Sequence, residues 1–227
     1  MKSKSAILWF VVALMAYGPG GGPAAAVTGS EVVEKLQKNF SKYKSFAAEF
    51  EQQFYWAVLE KEWSRKGRIY TRQPKQFRLE IEGGDTFVAD GQTIWAYSPQ
   101  NEQAIASSYD DDLKTPWEIL LDYSESFAPV AIEEVKLERR SCYLLTLKPQ
   151  TTFSDIAQMR IWVDRKKWQL LKAEKVETNE NVTTYVLKDE RIDKKLDDAL
   201  FHFSPPAGTE VIDRRSLLGA DESQDTE

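Results

Sequence analysis

Apolar residues recur at every second position from Phe46 through Ala48 and Phe50 to Phe54 and Trp56, with Gln52 the one polar member of the series. Phe77, Leu79 and Ile81 interleave in the same way with Arg78, Glu80 and Glu82. A period of two puts alternate side chains on one face of an extended chain, so both segments are expected as one-sided β-strands. The pattern returns at Tyr143, Leu145 and Leu147, at Met159, Ile161 and Val163, and in the run VTTYVLKDERI after the turn residues 178–181. Turn signals at Asp90-Gly91, Ser98-Pro99 and Asp164-Arg165 fall at hairpin intervals, which favours consecutive antiparallel pairing. About eleven strands are expected, a number at which a sheet curls on itself.

A helical period appears twice. Thr28-Gly-Ser-Glu31 has the residues of a capping box, and Val32, Val33, Leu36 and Phe40 follow at helical spacing, which predicts a helix reaching Tyr43. Thr115-Pro116-Trp117-Glu118 opens a second, shorter helix in which Trp117, Leu120 and Leu121 share an apolar side. Both helices carry a face that must lie on something apolar.

The start of the chain reads as a targeting segment. Lys2 and Lys4, the apolar stretch from Ala6 to Tyr17 and the small residues Ala24 to Ala26 fit a secretory signal peptide over residues 1–26. The apolar stretch is short for a membrane span, and Pro19-Gly-Gly-Gly-Pro23 follows it at once. Cleavage leaves residues 27–215 as a single domain, soluble, with 216–227 as a disordered acidic tail. It also moves the formal net charge from −6 to −8 by removing two lysines, a balance that disfavours nucleic acid as a partner. Cys142 stands alone, so no intramolecular disulfide can form, and its strand-like setting suits a small buried hydrophobe.

Catalytic chemistry finds few candidates. His202 is the single histidine and sits in FHFSPP, where alternation sets it opposite Phe201 and Phe203; no G-x-S-x-G elbow supplies a serine for it. Asp110-Asp-Asp112 lacks the glycine and closing glutamate of a calcium loop and suits the approach to a helix N-terminus. Neither common nucleotide-binding loop occurs. No cofactor and no metal are expected, and a non-enzymatic protein is the reading. Aromatic stripes on strands belong to ordinary cores more often than to ligand pockets, so composition alone leaves core and pocket both open.

The order of motifs narrows this. FEQQF from Phe50 to Phe54, Gly67 seven residues before Pro74, PKQFRLE, DGQTIWAYSPQNEQA, TPWEILL and FHFSPPAGTEVI run in sequence from Ser45 to Ile212. In this set the chain resembles the LolA family, the periplasmic carriers of outer-membrane lipoproteins. The resemblance implies a mainly β fold, an incomplete antiparallel β-barrel with a helical lid over an apolar cavity. It implies a cavity wall that includes Phe50, Phe54, Trp56, Phe77, Leu79 and Ile81. Trp95 and Tyr97 share one strand face, expected toward the cavity or its rim, although Ile94 and Ala96 are apolar too and alternation alone leaves the direction open. The lid would present Val32, Leu36 and Phe40 from one helix and Trp117, Leu120 and Leu121 from the other.

The resemblance also implies partners: lipidated cargo lipoproteins, an inner-membrane ATP-driven transporter that loads the carrier, and an outer-membrane receptor lipoprotein that unloads it. The carrier itself is expected in the periplasm as a monomer. Family members often place an arginine directly before the proline that corresponds to Pro74, a residue tied to lid closure. Here Gln73 holds that position and the arginine is Arg72, one residue earlier and, in a strand, on the opposite face. Both are therefore latch candidates. A lipid-sensing regulatory domain of the same fold and a secreted hydrolase stand as the alternatives.

Overall fold

A computed structural model describes residues 27–109, 126–151 and 154–215. The expected signal peptide, the second helix with Trp117, Leu120 and Leu121, and the acidic tail lie outside the described residues. Helix α1 runs Gly29–Phe40, three residues short of the sequence expectation, and its capping box is formed. Thr28 Oγ1 accepts from the Glu31 N–H at 3.2 Å, and the Thr28 N–H donates to Glu31 Oε2 at 2.8 Å. These bonds satisfy N-terminal donors that the helix cannot satisfy itself.

Twelve strands follow among the described residues: β1 Ser45–Trp56, β2 Lys61–Arg72, β3 Gln76–Ile81, β4 Thr86–Ala89, β5 Thr93–Ser98, β6 Gln103–Ser108, β7 Phe127–Leu137, β8 Arg140–Pro149, β9 Ile156–Asp164, β10 Leu170–Glu177, β11 Val182–Ile192 and β12 Glu210–Asp213. Their spatial order is β12-β6-β5-β4-β3-β2-β1-β11-β10-β9-β8-β7. The sheet is open, with β12 and β7 at its two edges. Two hairpin-linked runs, β1 to β6 and β7 to β11, meet at the antiparallel pair β1/β11. Every pair is antiparallel except β12 with β6, which is parallel. Period-two alternation cannot foresee that exception, because a four-residue strand arriving from far along the chain joins whichever edge its turn geometry allows.

The turns form as their residues dictate. Asp90 Oδ1 accepts from the N–H groups of Gln92 and Thr93, each at 2.8 Å, and Gly91 takes φ +103°. Asp164 Oδ1 accepts from Lys166 and Lys167 in the same manner.

The main core lies between α1 and one face of the sheet. Val32 and Leu36 pack with Phe46, Tyr143, Leu145, Leu147, Met159, Ile161 and Val163 in one buried cluster. Directly paired strand residues share a face, so the register defines this as the inner face: Val163 lies opposite Tyr143, Ile161 opposite Leu145 and Met159 opposite Leu147. The helix starts close to the edge strand, where a Cβ on Gly29 would lie 2.7 Å from Pro129 Cβ. Its far end is held by Asn39, whose Nδ2 donates to the carbonyls of Lys167 at 2.9 Å and Trp168 at 3.1 Å.

Candidate functional site

The inner face continues beyond α1 onto the other wing. Ala48, Ile69, Leu79, Phe87, Ala96 and Ile105 are direct neighbours across β1 to β6. Phe46, Thr71, Phe77, Ala89 and Ile94 form the adjacent row. Phe77 is buried, whereas Leu79, Ile81, Phe87, Ile94 and Ile105 are only half-buried. Apolar side chains left half-exposed in a contiguous row form a surface suited to an apolar ligand.

Gly67 shapes this wall. It sits opposite Phe50 in the register, and a Cβ there would fall 2.4 Å from Phe50 Cζ and 2.2 Å from the Glu80 carbonyl oxygen. The glycine lets the Phe50 ring lie across β2 and extend the apolar row toward Ile81. Further along the same face, Gln52 donates to the Tyr185 hydroxyl at 3.0 Å, and burial pushes the Tyr185 phenol pKa up. Phe54 then packs on Trp63 at 4.3 Å between ring centroids.

On the helix-covered wing, an open recess of about 320 Å³ lies between α1 and β7, lined by Val33, Glu34 and Gln37 with Phe127 and Pro129, but the space beneath the helix is filled. The crevice lined by Leu36, Phe40, Tyr43, Phe46 and Trp168 holds about 10 Å³, space for one water at most. Phe40 packs edge-on against Phe46 and Tyr43. Val32, Leu36 and Phe40 thus form one stripe, packed down on their own wing.

Trp95 and Tyr97 share a strand face with each other, as expected, but the structure places that face away from Leu79. Trp95 is paired with Val88 and Ala106, and Val88 with Arg78, so the two aromatics belong to the outer row. Both rings contact Phe203, each at 5.5 Å between centroids. The residues of β5 that share the inner face with Leu79 are Ile94 and Ala96. The reason is two-sided burial: the segment 198–203 folds over the outer face, so β5 needs apolar residues on both sides.

That segment is held by two arginines. Arg72 Nη1 contacts Asp198 Oδ1 at 2.5 Å, its Nε donates to Gln76 Oε1 at 2.8 Å, and its guanidinium lies 4.6 Å from the centroid of the Phe201 ring. The hydrogen bond from Arg72 holds the Asp198 carboxyl below the usual carboxylate range. Arg78 Nη1 donates to the Leu200 carbonyl at 3.2 Å. Gln73 turns the other way: its side-chain amide donates to the carbonyl of Ser41, the C-cap of α1, at 3.1 Å, and its N–H donates to the Lys44 carbonyl at 3.0 Å. The two latch candidates therefore serve different elements.

Among the described residues no group of three His, Cys, Asp or Glu is placed to hold a metal ion. Residues that the alternation did not single out, Phe87, Ile94, Ala96 and Ile105, complete the inner row. Their signal was present in the hairpin spacing around Asp90-Gly91, which fixes which residues of β4 and β5 pair.

Comparison with known proteins matches this arrangement to one family. The model of the family described as outer membrane lipoprotein carrier protein LolA matches residues 41–204. An outer-membrane lipoprotein carrier protein of Histophilus somni is 30% identical over 192 residues, covering 83% of this chain and 91% of its own. Its counterpart in Pasteurella multocida is 26% identical over 190 residues, covering 82% and 89%. In fold, the chain is similar to the crystal structure of an uncharacterized conserved protein from Thermus thermophilus, with a TM-score of 0.56 at 17% identity, covering 82% of this chain and 98% of that one. With a match from the first strand to the segment that covers the outer face, this chain belongs to the LolA family of outer-membrane lipoprotein carrier proteins.

Proposed function

We propose that this protein is a non-enzymatic carrier that shields the acyl chains of lipoproteins while they cross the periplasm from the inner to the outer membrane. The observation that carries the reading is the half-buried apolar row Leu79, Phe87, Ala96 and Ile105 on the face that α1 leaves uncovered. Exposing an acyl chain to water costs about 0.8 kcal/mol per CH₂, so a lipidated protein needs such a surface to diffuse through an aqueous compartment. Moving that chain from a bilayer onto an apolar wall exchanges like for like and is close to neutral. Loading therefore takes its drive from an ATP-hydrolysing transporter, and unloading from a receptor with higher affinity. A secretory signal over residues 1–26, cleaved before Val27, delivers the carrier to that compartment.

Gln73 is the better candidate for the polar latch, because its amide ties the β2–β3 connection to the end of α1. Breaking that tie loosens the end of α1 from the β2–β3 connection while leaving the residues of the wall in place.

The test is saturable binding of a fluorescent fatty acyl probe by the mature protein, followed by transfer of a purified lipoprotein to acceptor vesicles. Leu79→Glu and Phe87→Glu each place a carboxylate on the wall and are expected to weaken probe binding by at least about tenfold. Wild-type protein that fails to bind the probe, or wall variants that bind it normally, would overturn the reading.

A further inference from the structure

The hairpin between β1 and β2 reaches past β3 on one side, while on the other β1 stays paired with β11 as far as Tyr55. Strand β2 makes its last register pairing with β3 at Gly67, and the Lys66 carbonyl accepts from the Glu82 N–H at 2.8 Å, so Lys61 to Arg65 pair only with β1; Lys61 to Lys66 are all exposed. Six strand residues span roughly 20 Å. At the far end a 3-10 turn, Ala57–Leu59, is closed by Glu60 in the left-handed region at φ +49°. The turn is fixed in place, since the Ala57 N–H donates to Asn181 Oδ1 at 3.1 Å. Of the large apolar residues that the described chain exposes, four gather here: Val58 at 79%, Leu59 at 48%, and Trp56 and Trp63 at 41% each.

Charge is sorted between the two faces of the hairpin strands, while Glu60 stands exposed at the turn itself. Trp56 is paired with Lys61, Phe54 with Trp63 and Gln52 with Arg65, so three aromatic rings and two cations share the inner face with no carboxylate among them. Glu62 is paired with Tyr55, and Lys66 with Glu51, on the outer face. Neither Lys61 nor Arg65 has an ion-pair partner among the described residues. This occurs in a chain whose formal net charge is −6. Tryptophan beside lysine and arginine, with aliphatic side chains projecting further out, is the composition that partitions into a bilayer interface and is drawn to anionic headgroups.

We propose that the β1–β2 tip is a docking element for an anionic phospholipid surface, with Val58 and Leu59 entering the headgroup region, Trp56 and Trp63 at its boundary, and Lys61 and Arg65 against the phosphates. The inner row that begins at Phe50 and Gly67 continues along the same face into this tip, so docking sets the end of the apolar wall at the membrane. The proposal concerns the empty protein and is independent of lipoprotein carriage.

The experiment is flotation of the mature, ligand-free protein with vesicles of phosphatidylethanolamine and phosphatidylglycerol, and separately with phosphatidylcholine alone. Wild type is expected to float with the anionic vesicles, less so as salt rises, and to leave the neutral ones. Val58→Asp with Leu59→Asp should reduce flotation by about tenfold or more, and Lys61→Gln with Arg65→Gln should remove its salt dependence. Val211→Asp, on a residue 49% exposed at the other edge of the sheet, should change nothing. Circular dichroism of each variant checks the fold; because these positions are exposed, their loss of binding is not a loss of structure. Absence of wild-type binding to anionic vesicles at low salt overturns the proposal, as does an equal loss in Val211→Asp. If the tip variants instead weaken binding to a purified membrane-protein partner while wild type ignores every vesicle, the tip docks protein and the proposal is also overturned.

Discussion

In the wing formed by β7 to β11 the sealed face is the inner one, where α1 brings Leu145 and Val163 to 0% exposure. In the wing formed by β2 to β6 it is the outer one, where Phe201 is buried beneath Arg72 and Phe203 meets Trp95 and Tyr97. The remaining face of the first wing closes on itself through surface pairs: Lys172 lies over the Trp162 ring at 4.4 Å, and Arg160 is ion-paired with Glu174. The remaining face of the second wing is apolar and half-buried. One kind of strand thus builds a core in one place and a half-open apolar face in another. The outcome depends on which segment crosses which face, because burial by a packed element converts apolar area into stability, whereas area left open is available to a ligand.

The comparison can be broken most sharply by truncating one residue from each wing. Leu145→Ala removes a fully buried side chain and is expected to cost about 3 kcal/mol in urea denaturation, with acyl-probe affinity little changed in the folded fraction. Phe87→Ala, on the open wall, should cost about 1 kcal/mol and weaken the probe several-fold. Equal losses of stability, with equal effects on binding, would erase the distinction between the wings.

Gly67→Ala tests the join between them. The new methyl meets both the Phe50 ring and the Glu80 backbone, and the backbone cannot yield cheaply, so a loss of about 1–3 kcal/mol is expected together with weaker probe binding. The two latch candidates separate by readout. Gln73→Leu should slow transfer of a bound lipoprotein to acceptor vesicles while sparing loading; Arg72→Leu should leave transfer alone and speed amide exchange in residues 198–203. A transfer defect in Arg72→Leu alone would reverse the assignment.

The smallest effect is a pH dependence. Asp198 has its pKa lowered by Arg72, so its contribution is present above the ordinary aspartate value and is lost as pH falls through the lower, folded-state value. Exchange at the amides of residues 199–202 should therefore quicken on the acid side, and Asp198→Asn should flatten that response.

Much of this was legible in the sequence. Thr28 and Glu31 announced the cap, Phe77, Leu79 and Ile81 announced a one-sided strand, and Asp90-Gly91 announced a hairpin. What stayed hidden was contributed by distant chain. Trp95 and Tyr97 could not be assigned a face, because the element that covers them, ending in Phe203, lies a hundred residues downstream and β5 is apolar on both sides. The strand count rose from eleven to twelve because β12 is four residues long and borrows its stability from β6. Opposite faces for Arg72 and Gln73 were expected from the sequence, but their partners, Asp198 and the Ser41 carbonyl, come from distant chain and emerge only in three dimensions.

The pairing of β1 with β11 places the first strand to be made at the centre of the sheet. Hairpins β1 to β6 and β7 to β11 can each zip locally, in microseconds, as their residues become available. The closing pair cannot: Phe46 waits for Ile192, and α1 waits for the strands that bury Val32. As the chain is made from its N-terminus, β1 therefore keeps one edge unprotected until nearly all of it has emerged. Such an edge invites pairing with a second chain. Sequence separation at this seam makes it the slow step of folding, and a holding chaperone that engages the growing chain before residue 192 emerges should raise the yield of folded protein more than one added afterwards.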